Sequence, residues 1–120
     1  MLYTMDIHEL ITLLGKDGIA VPASAPAQWS RHASLVQEWN RVASLVSVGD
    51  AARLELVHLP DALSVAAVVA RLGFGRGRLL DIGTGGGYPG IPVKIALPEL
   101  NVTLVERSVK KIGFLRKVVA

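Results

Sequence analysis

Hydrophobic positions along the chain fall into two regimes. Up to about residue 75 they recur at helical steps, and from Arg78 onward they form short apolar runs broken by glycine. Asp6-Ile7-His8-Glu9 reads as a helix start, with Asp6 as N-cap and Glu9 in capping-box position. Leu10, Ile11, Leu13 and Leu14 supply its apolar face, Gly15 to Gly18 ends it, and a loop with Pro22 and Pro26 follows. From Gln28, the spacing of Trp29, Val36, Trp39, Ala43 and Val46 predicts an amphipathic helix closing near Gly49, with both tryptophans in the core. Asp50 is expected to cap a short turn through Leu56, and Pro60 to open a helix from about Asp61 to Leu72 that Gly73 stops.

Leu79 to Ile82 is a short strand candidate, followed at once by a glycine loop and a brief helix over Ile91 to Leu97 that Pro98 stops. The β-branched run Asn101 to Val105 predicts a second strand. Val109 to Val119 predicts a last helix, with Ile112, Leu115 and Val119 on one face. The expected fold is therefore α/β: an N-terminal helical region, residues 1–75, followed by the first βαβα unit, residues 76–120, of a parallel, doubly wound, Rossmann-like sheet. Two strands leave both faces and an edge of such a sheet to be covered, so the sheet is expected to be incomplete and the chain part of a longer enzyme. No internal repeat or low-complexity segment interrupts this pattern.

A length of 120 residues suits one domain, and 51% hydrophobic against 19% charged residues suits a globular one. The chain has no cysteine, which removes disulfides, thiolate metal sites and cysteine nucleophiles. The N-terminus lacks a basic leader, and the longest apolar run, around Ala62 to Ala70, falls short of the ~18 residues a membrane span needs. A cytoplasmic, soluble monomer is expected. The three scattered histidines suggest no metal site. Charge is uneven: residues 1–105 hold eight Lys/Arg against nine Asp/Glu, and residues 106–120 hold five against one. Such a basic end suits either an acidic partner such as RNA or a solvated helix face.

The segment LLDIGTGGGYPGIP, residues 79–92, holds five glycines. A mononucleotide phosphate loop would need Lys and Ser/Thr where Ile91 and Pro92 stand. A dinucleotide fingerprint can be read at Gly85, Gly87 and Gly90, but Gly83 and Thr84 then intervene after the strand; starting at Gly83 puts Tyr88 in the place of the third glycine. The spacing D-x-G-x-G-x-G at Asp81, Gly83, Gly85 and Gly87 suits S-adenosylmethionine better. Asp81 would receive its α-amino group while the nucleoside passes over bare backbone. Glu106 stands 25 residues after Asp81, at the end of the second strand, where it can receive both ribose hydroxyls. Nicotinamide enzymes use an acid in the same way, so Glu106 alone does not discriminate.

DIGTGGGYPGIP followed by VTLVERSVKKIGFLRKV resembles the bacterial 16S ribosomal RNA guanine-N7 methyltransferase G family, also called glucose-inhibited division protein B. Tyr88-Pro89-Gly90-Ile91-Pro92 and Lys110-Lys111-x-x-Phe114-Leu115 are the more specific parts of the match. EWNRVASLVSVGD (38–50) and VHLPDALS (57–64) resemble two upstream segments of that family, so the likeness runs from about His8 onward. Ser44 and Val46 stand where the family has Asn and Thr, Val57 where it has Arg, Ala62 where it has Ser, and Glu106 where Asp is more usual.

The resemblance implies methyl transfer from S-adenosylmethionine to a guanine N7 of 16S rRNA in the small ribosomal subunit, with no metal and no general base. It gives Asp81, Gly83, Gly85, Gly87, Tyr88, Glu106 and Ser108 as the cofactor-binding set and leaves the catalytic residues open. His58 and Asp61 either face the same pocket or serve as a buried histidine and a helix cap. Arg107, Lys110, Lys111, Arg116 and Lys117, with Arg76 and Arg78 beside the loop, are the candidate phosphate contacts. The alternatives are a nicotinamide-dependent oxidoreductase half-domain and a non-catalytic RNA-binding remnant.

Overall fold

The computed structural model describes residues 5–120. Helix α1 (Ile7–Lys16) starts as its sequence dictates: the Glu9 N–H donates to Asp6 Oδ1 at 2.8 Å, and the Asp6 N–H donates back to Glu9 Oε2 at 3.0 Å. Such a reciprocal cap contributes about 1 kcal/mol to a helix start. Helix α2 (Ala25–Ala43) begins earlier and ends earlier than its apolar spacing predicts. Pro26 belongs to its first turn, where the missing N–H costs nothing. The chain leaves α2 at Ser44, in the left-handed region at φ 48°, and Asn40 Oδ1 accepts the Val46 N–H at 2.9 Å to hold that exit.

Two more corrections fall in the next segment. The short helix α3 (Val48–Ala51) is capped by Ser47, whose Oγ accepts the Asp50 N–H at 3.1 Å, so Asp50 lies inside the turn it was expected to cap. A π-helical turn over Leu54–His58 then runs directly into α4 (Leu59–Arg71), with Pro60 in its first turn. Asp61 is therefore an exposed first-turn residue and not the cap.

Strands β1 (Arg78–Ile82) and β2 (Asn101–Val105) pair in parallel, with Asp81 opposite Leu104 and Ile82 opposite Val105. Helix α5 (Gly90–Ala96) makes the crossover, and Lys94 Nζ closes its exit by donating to the Pro98 and Leu100 carbonyls at 2.6 and 2.8 Å. Helix α6 (Val109–Val119) follows β2. This is a mixed α/β fold that opens as a Rossmann-like sheet does, with two strands among the described residues.

Helix α2 is the spine. Trp29 joins Leu10, Leu14, Leu63 and Val93 in one apolar cluster, while Val36 joins Leu45, Leu54, Ile91 and Phe114 in another. The Trp29 indole N–H also donates to the Pro92 carbonyl at 3.2 Å, tying α2 to α5. Trp39 is only half-buried, its ring 6.1 Å from that of Phe114 with Lys117 Nζ above it. One face of the sheet is covered by these helices; on the other, Leu80, Ile82 and Val105 are 57%, 74% and 41% exposed.

Beside β2 lies an open cleft of about 1090 Å³, lined by α2, α5, β2 and α6. The predicted apolar face of α6, Ile112, Leu115 and Val119, looks into it. What anchors α6 is Phe114, fully buried against α2, whereas Val119 is 67% exposed. Phe114→Ala is accordingly expected to cost about 3–5 kcal/mol in urea unfolding, and Val119→Ala less than about 0.5 kcal/mol.

Candidate functional site

The glycine loop leaves β1 between two carboxylates that belong to neighbouring strands. Asp81 stands one residue before the end of β1, and Glu106 immediately follows β2. Asp81 Oδ2 accepts from the Thr84 hydroxyl at 2.7 Å and from the Gly90 N–H at 2.9 Å, so one carboxylate oxygen fixes both ends of the loop. Glu106 Oε2 accepts the Gly85 N–H at 3.0 Å, while Oε1 accepts the N–H groups of Arg107 and Ser108 at 2.9 and 3.1 Å. These donors favour the charged form, Ser108 first and Gly85 next, and hold the Glu106 carboxyl below its usual pKa. The Val105 carbonyl takes both the Gly83 and the Thr84 N–H.

Two glycines are demanded by close approach. A Cβ at Gly90 would collide with the Leu104 side chain and come within 2.8 Å of Asp81 Oδ2, so bare backbone lets α5 lie against the strands. This is the packing role that a dinucleotide fingerprint gives its third glycine, and Gly90 fills it although Tyr88 stands nearer the strand. At Gly87, with φ +91°, a Cβ would run into Ile91. Gly83 differs: a Cβ there would meet nothing within 4 Å, and one at Gly85 only the Leu45 carbonyl oxygen at 3.5 Å. That stretch presents bare backbone to open space between the two acids.

Tyr88 follows, half-buried, with its ring 4.6 Å from His32 and 5.5 Å from His58. Burial, helped by Glu55, pushes its phenol above the ordinary value and keeps it neutral. His58 is partly exposed, its Nε2 3.6 Å from Asp50 Oδ2, and so reaches the loop's edge through Tyr88. Ser108 caps α6 through its Oγ, which accepts the Lys111 N–H.

The basic residues do not make one row. Arg107, Lys110 and Lys111 sit at the start of α6 next to Glu106, Arg116 lines the cleft, and Lys117 lies 5.3 Å above the Trp39 ring. Arg76 and Arg78 were expected beside the loop and are not. They sit at or before the opposite end of β1, about 13 Å of strand away, and Arg76 pairs with Glu99 at 2.7 Å. Two residues escaped the sequence reading: Thr84, and His32, whose ring contacts the loop from beneath at Gly86. Among the described residues no group of three or more His, Asp or Glu side chains is placed to hold a metal, and no helix is long and apolar enough to cross a membrane.

Residues 26–120 match the family model described as rRNA small subunit methyltransferase G. The chain belongs to this family. It is 35% identical over 115 residues to the ribosomal RNA small subunit methyltransferase G of Leuconostoc citreum, covering 96% of this chain and 48% of that protein. The proteins of the same name from Geobacter sp. and Chromobacterium violaceum are 39% and 42% identical, over 85% and 74% of this chain and 45% and 41% of theirs. The chain thus spans about half the length of the curated relatives it matches.

His32 gives the site a pH signature. Burial holds its imidazole pKa below the usual value near 6.5, against the opposing effect of its bond to Gly86. As pH falls through about 6.5 the unfolded chain takes up a proton that the folded one refuses, so the unfolded state binds more protons there. Stability from this residue is level above that pH and declines as pH drops toward the folded-state value. Melting temperatures recorded from about pH 7.5 to about pH 5 should fall more steeply for the native chain than for His32→Gln.

Proposed function

We propose that this chain carries the S-adenosylmethionine-binding part of an enzyme that methylates N7 of a guanine in 16S ribosomal RNA. The observation that carries the reading is the pair of acids, Asp81 and Glu106, gripping one glycine loop from adjacent parallel strands while Gly83 and Gly85 leave its backbone bare. Membership of a family named for methylating small-subunit rRNA supports the substrate class. In this reading Asp81 receives the α-amino group through Oδ1, which takes no part in its bonds to Thr84 and Gly90. Glu106 receives the ribose hydroxyls, the loop glycines lie under the nucleoside, and Tyr88 and Ser108 border the pocket.

S-adenosylmethionine supplies a methyl carbon on a sulfonium. Guanine N7 brings an unprotonated lone pair: the N7–C bond forms as the C–S bond breaks, and its electrons return to sulfur. No proton moves in that step, so the protein's task is positioning in a water-poor pocket. The target base has to leave its stack to enter. Arg107, Lys110 and Lys111, beside Glu106, suit the phosphates of RNA approaching that end, with Arg116 and Lys117 further along α6. This reading puts the protein in the cytoplasm with its ribosomal substrate, as a monomer.

Calorimetric titration tests the pocket. S-adenosylmethionine should bind saturably, NAD should not, and Glu106→Gln should weaken binding about 10- to 100-fold, the scale of a lost charged hydrogen bond. Selective binding of NAD would instead favour a nicotinamide-dependent half-domain. Transfer of labelled methyl to 16S rRNA by this protein, recovered as 7-methylguanosine, tests the reaction; a folded chain that binds cofactor but transfers nothing would point to a non-catalytic remnant.

A further inference from the structure

Helix α2 carries a histidine into the core directly beneath the glycine loop. His32 is 2% exposed, and its Nε2 lies 2.7 Å from the Gly86 carbonyl oxygen. A carbonyl only accepts, so Nε2 holds the proton and donates. The neutral ring then leaves Nδ1 bare, and Nδ1 is buried with no hydrogen-bond partner. A leucine or phenylalanine would fill this site without burying a bare nitrogen. The ring is held in place by Tyr88, 4.6 Å away, and α2 itself is tied down one turn earlier by the Trp29–Pro92 bond.

What the histidine grips is a run of three glycines. Gly85, Gly86 and Gly87 are consecutive, and glycine backbone crosses between conformers that other residues are denied. The Gly86–Gly87 peptide is planar, so fixing its oxygen fixes the direction of the next N–H. That N–H, on Gly87, donates to the Thr84 carbonyl at 2.9 Å, and Thr84 is in turn held by Asp81. The Thr84 carbonyl shares its planar peptide with the Gly85 N–H, which meets Glu106. The two acids hold the loop from the strand side, and His32 holds it from the helix side.

We propose that His32 is a positioning residue of the cofactor loop: by donating Nε2–H to the Gly86 carbonyl it selects the backbone conformer that aims the Gly85 N–H at Glu106, and thereby sets the affinity for the adenosyl cofactor. This rests on the function proposed above for the loop. It acts through backbone, without touching the ligand.

The test compares native chain, His32→Leu, His32→Gln and His32→Asn. The glutamine amide nitrogen reaches about as far as Nε2, and the asparagine nitrogen does not. Two readouts are taken: amide exchange at Gly87 by NMR, normalised to helical amides of α5, and S-adenosylmethionine affinity by calorimetry. In the native chain, ¹⁵N shifts should report the Nε2-protonated tautomer. His32→Leu should speed Gly87 exchange and weaken the cofactor, each by about tenfold or more, and His32→Gln should recover most of both. Unchanged exchange and affinity in His32→Leu, or a glutamine variant no better than leucine, would overturn the proposal. Should His32→Leu fail to fold, the Gln and Asn variants decide in the same way: near-native Gln with weakened Asn supports the proposal, and equal behaviour sinks it. A native chain that binds no S-adenosylmethionine would remove the cofactor reading, while the exchange data would still judge the role of His32.

Discussion

Buried backbone has to have its hydrogen-bonding groups met, and in this protein the glycine loop meets that constraint with partners drawn from several elements. Leaving one such group unmet costs about 1–3 kcal/mol, a large part of the stability of a small domain. Residues 83–90 have few side chains of their own to contribute, so the partners come from around them. The Val105 carbonyl, Asp81 and Glu106 supply acceptors, and His32 supplies the donor. The acids and Val105 sit at the strand ends, where parallel pairing brings the termini of β1 and β2 side by side. The register of two strands and the pitch of one helix are thereby committed to the same eight residues.

This commitment gives the N-terminal helices a purpose beyond covering a sheet. Helix α2 contributes to both apolar clusters and to the underside of the loop, so its rotation is locked by Trp29, Val36 and His32 together. The remainder of the sheet is treated differently. Leu80, Ile82 and Val105 face outward uncovered, and the cleft beside β2 is bordered by the apolar side of α6. The outward face thus mixes Leu80, Ile82 and Val105 with Arg78, Asn101 and Thr103, and the cleft mixes apolar residues with Arg31, Lys94, Glu106 and Arg116.

Legibility in the sequence tracked how local each signal was. The capping box of α1 needs only Asp6 and Glu9, and the two strands need only their β-branched and apolar runs, so these were readable within a residue or so. The ends of α2 were not. Pro26 reads equally as loop or first helical turn, and the exit at Ser44 depends on an asparagine side chain folding back to Val46. The loop's two acids were visible because their spacing mirrors the strand–loop–strand order. His32 was not, since its partner Gly86 lies 54 residues away and on an apolar helix face one polar residue reads as an exception. It does stand three residues after Trp29 and four before Val36, and that inward register was the available clue. Arg76 and Arg78 misled for the opposite reason, being near the loop in sequence with a whole strand between.

In the proposed pocket, Glu106 would link a ligand to the loop's own order. A carboxylate offers about four lone-pair directions. Oε1 spends two on Arg107 and Ser108, which fixes the carboxylate to the start of α6, and Oε2 spends one on Gly85. A ribose diol arriving in the proposed pocket therefore finds one acceptor direction open and competes with Gly85 for the other. Sharing is cheap while the loop stays in place by other means. It is costly if Gly85 is the only tie on that side, since its release would then loosen three consecutive glycines. The bonds from Thr84 and Gly90 to Asp81, and from His32 to Gly86, are those other means. Preorganisation of the loop by groups that do not touch the ligand leaves Glu106 free to change partners, which is the condition under which one acid can both close an empty site and hold a full one.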